Sequence, residues 1–237
     1  MKKSILPTDA PGLNEPSELN ESPELNDVVG RIARRSLEAR GAGAADEVRR
    51  LLDAGREVMR RSGTRTRPKV ADIVASAGLS NDAFYRYFAS KDALVAAILE
   101  DGTVRLRSYL GHQMVKSDTA EGQVRRWVEG VLSQAVDEDV AATTLAVLWN
   151  GGSLGEELAT ARPSPSVALA VLLHQPLTDL GSRTPDVDAV LIAHAVVGLL
   201  SDHLWNRTRP DSVEIDRVVA FCLSAIGEPG PGFSERP

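Results

Sequence analysis

Val48, Leu51, Leu52, Gly55, Val58 and Met59 recur at helical spacings along the chain, and Gly63 follows them. This is one apolar face of an amphipathic helix with its stop signal. The same reading predicts helices over residues 68–77, 81–88, 91 to about 115, 119–136, 141–150, 165–180, 186–208 and 213–226. Upstream, Val28, Val29, Ile32 and Leu37 give residues 27–40 a helical pattern that Gly41 and Gly43 interrupt. No segment alternates with period two between turn signals, so the predicted fold class is all-α.

Composition narrows the picture. With 237 residues, 43% hydrophobic and 25% charged, the chain is long and apolar enough for a large core and is not disordered throughout. Aromatics at 4% argue against a β-sandwich or barrel. A single cysteine, Cys222, excludes an internal disulfide and makes a reducing compartment the expectation. The apolar stretch 189–200 falls short of the roughly 20 residues of a membrane span. Lys2 and Lys3 lack a following apolar run. The expected location is cytoplasmic, with no membrane partner.

The net charge of −6 is unevenly spread. Residues 1–26 carry two lysines and five acids around a decaying Leu-Asn-Glu unit broken by Pro16 and Pro23, and read as a disordered low-complexity arm. Residues 27–43 form a basic extension whose Arg31, Arg34 and Arg35 either follow a DNA minor groove or pack beside an apolar Val28/Ile32 face. Between Arg49 and Lys69 stand eight basic residues and two acids, a net of +6. Residues 102–237 return to −6, with eleven basic residues and seventeen acids. A local basic surface attracts phosphate even on an acidic protein.

The stretch from Lys69 to Leu94 carries the chemistry. Val70, Ile73, Val74 and Ala77 stripe one helix, and Gly78 stands where a left-handed residue ends it. Leu79 plugs the corner, Ser80 is an N-cap, and Phe84 and Phe88 bury one face of a second short helix. Asn81, Asp82, Tyr85 and Arg86 are left on the other face, and Ser90 caps a third helix that opens with Lys91. This is a helix-turn-helix, a motif whose second helix enters the DNA major groove.

These residues resemble the DNA-binding domain of the TetR/AcrR family of bacterial transcriptional regulators. The likeness rests on Asp72-Ile73-Val74, Ala77-Gly78-Leu79-Ser80, Phe84-Tyr85-Arg86-Tyr87-Phe88 and Ser90-Lys91-Asp92-Ala93-Leu94. It covers roughly residues 46–100 closely and the helical remainder in outline. Some positions depart from the family pattern. Arg67-Pro68-Lys69 replaces a frequent pair of threonines, Tyr87 stands where His is common, and Asn81-Asp82 replaces a small or basic pair. Pro68 suits a first helical position.

The resemblance implies a three-helix DNA-binding domain (44–101) and a larger helical effector-binding and dimerisation domain (102–228), followed by a flexible tail (229–237). It implies phosphate contacts from Tyr85, Tyr87 and Lys91, with Arg67, Lys69 and Ser80 beside them. Asn81 and Arg86 are the candidates for base edges. Asp82 either accepts from a cytosine amino group or serves as a helix N-terminal charge. The implied partners are a double-stranded palindromic operator, a second copy of the chain and a small-molecule effector, with release of a repressor as the mechanism.

For the second copy the sequence offers the last two helices. Ile215, Val218, Val219, Cys222, Ala225 and Ile226 form one stripe, and Val187, Val190, Leu191, His194, Val197 and Gly198 another. Ile192, Val196 and Leu200 add apolar surface elsewhere, so this helix is to be buried on two sides. Leu110, Met114, Trp127, Val131, Trp149, Leu173 and Leu177 are the material for an effector pocket or plain core, and His174 and His194 are possible polar handles. A largely apolar effector is expected. His194 and His203 fall on opposite helix faces, and no metal, cofactor or catalytic set is expected.

Two other readings stand beside this one. Gly151-Gly152-Ser153-Leu154-Gly155 matches the G-x-S-x-G elbow of serine hydrolases, which requires a preceding strand. A helix-turn-helix protein without an effector has the same motif.

Overall fold

The computed structural model describes residues 23–152, 164–224 and 226, with side chains from residue 41 onward, residue 42 apart. Every described element is helical, and no strand occurs among the described residues. Residues 1–22 of the expected arm, Ser153 of the elbow motif and the tail 229–237 lie outside the described residues, as do the side chains of Arg31, Arg34 and Arg35. The described residues divide after Ala45 into two units. The packing below concerns the second.

The helices are α1 (Pro23–Ser62), α2 (Val70–Ala77), α3 (Asn81–Tyr87), α4 (Lys91–Met114), α5 (Ala120–Leu132), α6 (Glu138–Gly151), α7 (Pro165–Ala170), α8 (His174–Asp179), α9 (Pro185–Asn206) and α10 (Ser212–Ser224). Short 3₁₀ turns follow α5 (Ser133–Ala135) and link α7 to α8 (Val171–Leu173).

Three differences from the sequence expectations have local causes. Helix α1 passes through Gly41 and Gly43, where a break is expected. Each glycine costs about 1 kcal/mol against alanine, but Ala39, Ala42, Ala44 and Ala45 around them are the best helix formers. The 165–180 helix divides because Pro176 offers no N–H to the preceding turn. Helix α2 starts at Val70, so Pro68 precedes the N-cap Lys69 rather than occupying the first helical position.

Apolar side chains collect in two cores. One joins Leu51, Val58 and Met59 of α1 with Ile73 and Val74 of α2, Phe84 of α3, Leu94 and Ile98 of α4, and Ala146 and Val147 of α6. The other joins Leu110 and Met114 of α4 with Trp127 and Val131 of α5, Leu169 of α7, Leu177 of α8, Ile192 and Val196 of α9, and Val219 and Cys222 of α10. The domain boundary expected at 101/102 therefore falls inside one continuous helix, α4, whose two halves serve different cores. The Trp127 indole N–H donates to the Leu169 carbonyl oxygen at 3.2 Å, which satisfies the one polar atom of that buried side chain. Burial pushes the Cys222 thiol up to about 11, so it stays protonated at neutral pH.

Helix α9 is 22 residues long and contains an 18-residue window of mean hydropathy 1.5, enough by length and composition to cross a bilayer. The helix extends in both directions beyond the 12-residue apolar stretch 189–200. Its inner stripe of Ala189, Ile192, Ala193, Val196 and Leu200 is fully packed in the second core, as in a central helix of a water-soluble bundle.

Phe84 is fully buried in the first core, and α3 has only seven residues to hold it in place. Phe84→Ala should cost about 3–5 kcal/mol of unfolding free energy by urea titration. An unchanged midpoint would mean that α3 is anchored elsewhere.

Candidate nucleic-acid interface

The turn between α2 and α3 is built by local signals. Gly78 adopts φ 62 and ψ 39, the left-handed geometry in which any Cβ is strained. Its N–H bonds the Ala75 carbonyl, and the Leu79 N–H reaches back to Val74 at 3.0 Å, closing the end of α2. The Ser80 hydroxyl accepts from the Ala83 N–H at 3.1 Å and starts α3. The Ser90 hydroxyl does the same for Ala93 at the start of α4. Both caps stand where the sequence places them.

Arg50 of α1 completes the turn across a long sequence distance. Its guanidinium donates to the Ala77 carbonyl from Nε at 3.1 Å and Nη2 at 2.6 Å, and from Nη2 to Gly78 at 3.1 Å. A cation on these carbonyls offsets the negative end of α2. Glycine at 78 leaves room for the guanidinium, since a Cβ there would lie 3.2 Å from Arg50 Nη2.

Helix α3 presents two faces. Ala83, Phe84 and Phe88 point inward, with the phenyl centroids 5.8 Å apart. Asn81, Asp82, Tyr85 and Arg86 point outward, and Tyr85 is 58% exposed. No described residue offers the side chains of Asn81, Asp82 or Tyr85 a hydrogen-bond partner. Arg86 and Tyr87 behave differently. Arg86 Nη1 lies 3.2 Å from Glu47 Oε2, and the Tyr87 hydroxyl donates to the same oxygen at 2.7 Å. Lys91 is partly buried at the first turn of α4, its Nζ 3.6 Å from Asp92.

The basic stretch before α2 is not one free surface. Besides Arg50, Arg56 bridges Asp53 and Asp101, each at 2.6 Å. Arg60 pairs with Glu57 and Asp139, and Arg61 lies 3.4 Å from Glu57. Arg65, Arg67 and Lys69 are exposed and have no side-chain partner among the described residues. The net charge of +6 thus overstates what a phosphate backbone would meet. Glu47 and the capping role of Arg50 are the features that sequence reasoning misses. Their partners lie 27 to 40 residues away, and no local pattern announces such pairs.

The expected pocket residues are placed otherwise than as a cavity wall. Leu110, Met114, Trp127, Val131, Leu173 and Leu177 pack together in the second core. Trp149 is half-buried. His174 is half-exposed beside Asp186 at 3.4 Å, and exposed His194 bonds the Val190 carbonyl through Nδ1 at 2.7 Å. An apolar cavity of about 150 Å³ lies instead between α4, α6, α7 and α9, walled by Ile98, Leu99, Leu106, Leu148, Val197 and Leu200. Arg56 of α1 lines it too, its Nε buried without a partner.

A serine-hydrolase elbow needs a strand ahead of its nucleophile. Residues Glu138–Gly151 form α6 there, and Gly152 is its C-cap.

Helix geometry, caps and an outward α3 face define a helix-turn-helix, the motif that DNA-binding proteins set in the major groove. Residues 51–98 match the family model described as bacterial regulatory proteins, tetR family. Residues 51–98 are thus similar to the DNA-binding domain of these transcriptional regulators. Solved structures extend the likeness to the rest of the fold. Reduced NemR of E. coli is 17% identical, with 78% of this chain and all 100% of that one covered, at a TM-score of 0.58. FadR of Bacillus subtilis, solved in complex with stearoyl-CoA, is 19% identical over 75% of this chain and 98% of its own, also at 0.58. A tetR-family regulatory protein from Rhodococcus RHA1 is 16% identical over 76% and 97%, at 0.52. At these identities the likeness is one of fold. No curated protein matches the chain.

Glu47 holds two side chains of the outward region, and a phosphate would compete with it. Glu47→Ala should tighten binding to unrelated duplex DNA by up to about fivefold, as for loss of one exposed ion pair, measured by fluorescence anisotropy. Weaker binding instead would make Glu47 a support for Arg86 and Tyr87 rather than a competitor.

Proposed function

We propose that the protein is a cytoplasmic, homodimeric repressor that leaves a palindromic operator when a mainly apolar small molecule binds its larger core. The outward face of α3 carries this reading. Asn81 and Arg86 address base edges there, since the amide of Asn pairs with adenine and the fork of Arg with guanine. Tyr85, Tyr87, Ser80 and Lys91 meet phosphates around them, Lys91 together with the amides at the start of α4. Arg67 and Lys69 supply unpaired positive charge just before α2. Asp82 is exposed at the start of α3, where its charge favours the helix and repels phosphate.

Dimerisation is supported by the outer sides of α9 and α10. Val187, Leu191 and Trp205 are 57%, 62% and 52% exposed, and Val213 and Phe221 are similarly open. Large apolar side chains left exposed on a helix are suited to an interface. A two-fold protein matches two half-sites about one helical turn apart.

The effector reading rests on the apolar cavity between α4, α6, α7 and α9. Its volume is below the roughly 300–1,000 Å³ of ordinary ligand sites, so an effector enters only as α4 and α6 separate. Helix α4 also forms the first core, and its displacement shifts the population away from the DNA-bound spacing. FadR of Bacillus subtilis, described with stearoyl-CoA, shows a protein of this fold with a ligand bearing a long apolar chain. The small volume equally favours a DNA-binding protein with no effector. A thermal-shift screen without any stabilising apolar compound would select that alternative.

Selected genomic fragments should be retained far better than scrambled duplex, with affinity falling steeply as salt rises. Lys91→Ala should weaken binding to every sequence, and Asn81→Ala should cost about 1–3 kcal/mol on the operator and relax its specificity. Equal retention of scrambled DNA would refute sequence-specific docking. Leu191→Arg should halve the mass seen by light scattering without lowering helix content. A dimer that survives this change would place the interface elsewhere.

A further inference from the structure

A second cavity, of about 530 Å³, lies where the end of α1 meets α6 and α9. Its wall carries Arg60, Arg61, Arg65, Arg207 and Arg209 against one carboxylate, Glu138. Arg60 and Arg61 are already paired with Glu57, but Arg65, Arg207 and Arg209 have no acidic or carbonyl partner among the described residues. Ala135, Ala141, Ala142, Leu145 and Leu204 give the wall an apolar side, and Thr64, His203 and Thr208 add polar groups. Like charges gathered in a concavity focus a positive potential and draw a counter-ion into it. Guanidinium forks suit the paired oxygens of carboxylates and phosphates.

Two local features of the wall agree. Arg207 ends α9 at φ 53, and it is the one non-glycine residue with positive φ among the described residues. Glycine would meet that geometry at less cost. What the arginine adds is a cation on the cavity wall. Beside it, the His203 side chain is 9% exposed, with Nδ1 2.8 Å from the Thr208 hydroxyl. Its Nε2 sits 3.2 Å from Glu214 but is not aligned for a hydrogen bond, so a buried polar atom is left unsatisfied at the cavity.

We propose that this cavity is a binding site for a small amphiphilic anion, with a carboxylate or phosphate head on the arginines and a short apolar body against α6 and α9. It is distinct from the apolar cavity between α4, α6, α7 and α9, with which it shares no lining residue. A ligand here ties the α1–α2 connection to the α9–α10 connection. The binding claim does not rest on the repressor reading, because it is tested without DNA.

The test is calorimetric titration of the full-length protein with octanoate, octyl phosphate and, as the uncharged control, 1-octanol. At least one anion should bind at millimolar concentration or below, and octanol at least about tenfold more weakly, the loss expected for charge-assisted hydrogen bonds. Which anion binds more tightly identifies the head group. Arg207→Gly and Arg209→Glu should each weaken anion binding about tenfold, and Arg207→Gly should melt no lower than the parent because glycine relieves the left-handed cap. No binding by either anion, equal binding of octanol, or affinities unchanged in both arginine variants would overturn the proposal. So would loss of octanoate binding in Leu148→Trp alone, which would move the ligand to the apolar cavity. Weakened duplex binding with unchanged octanoate affinity in Arg209→Glu would assign that arginine to DNA and likewise overturn it.

Discussion

A seven-residue helix does not stand by itself in water, because too few hydrogen bonds follow its costly nucleation. Helix α3 exists because Phe84 is sealed in the first core and Phe88 lies beside it, while Ser80 fixes where the helix begins. That anchoring decides which face turns outward. With Phe84 inward, Tyr85 and Arg86 on the next positions have only the solvent side available. The edge-on approach of Tyr85 to the Phe84 ring, with centroids 5.2 Å apart, further limits the freedom of the exposed phenol. The outward face of α3 is therefore a by-product of core packing.

The parts of this arrangement that the sequence announces are short-range. Gly78, Ser80 and Ser90 each act within a few residues, and each stands in the geometry that its chemistry demands. What the sequence conceals is long-range pairing. A count of arginines between Arg49 and Lys69 cannot show that Arg50 caps α2, that Arg56 joins Asp101, or that Arg60 reaches Asp139. For the residues offered as pocket or plain core, the structure shows core. Apolar positions on the middle helices predict burial, but Trp127 and Leu110 fill space completely, and periodicity does not distinguish a filled core from a lined cavity.

Helix α4 is the mechanical feature that joins the two cores. Leu94, Val95 and Ile98 belong to one, Leu110 and Met114 to the other, and the helix between them is uninterrupted. Helix α6 does the same on a smaller scale, through Ala146 and Val147 on one side and Leu145 and Leu148 on the other. Dense interiors move by switching between packings rather than by bending smoothly. The two cores are thus joined through shared helices. The apolar cavity lies between these two helices, and Arg56 brings α1 to its wall.

Helix α9 shows why its two apolar sides have to be explained separately. Sequence reading takes Val187, Val190, Leu191, His194, Val197 and Gly198 as a principal stripe, yet its largest exposed members face outward while Ile192, Val196 and Leu200 hold the core. A helix apolar on both sides gives a weak directional signal, so periodicity cannot say which side is inner. Composition alone cannot separate this helix from a membrane span either. The arrangement along it does. The inner side packs small Ala189 and Ala193 among larger residues, as interdigitation with α5, α7 and α8 requires. The outer side carries Leu191 and Trp205 around Gly198, where a Cβ would meet nothing within 4 Å. Bulky residues beside an open glycine leave a relief of ridges and a hollow, a surface suited to another helix, with exposed His194 and Asp202 at its margins. Lipid requires no such relief and disfavours both of those polar side chains.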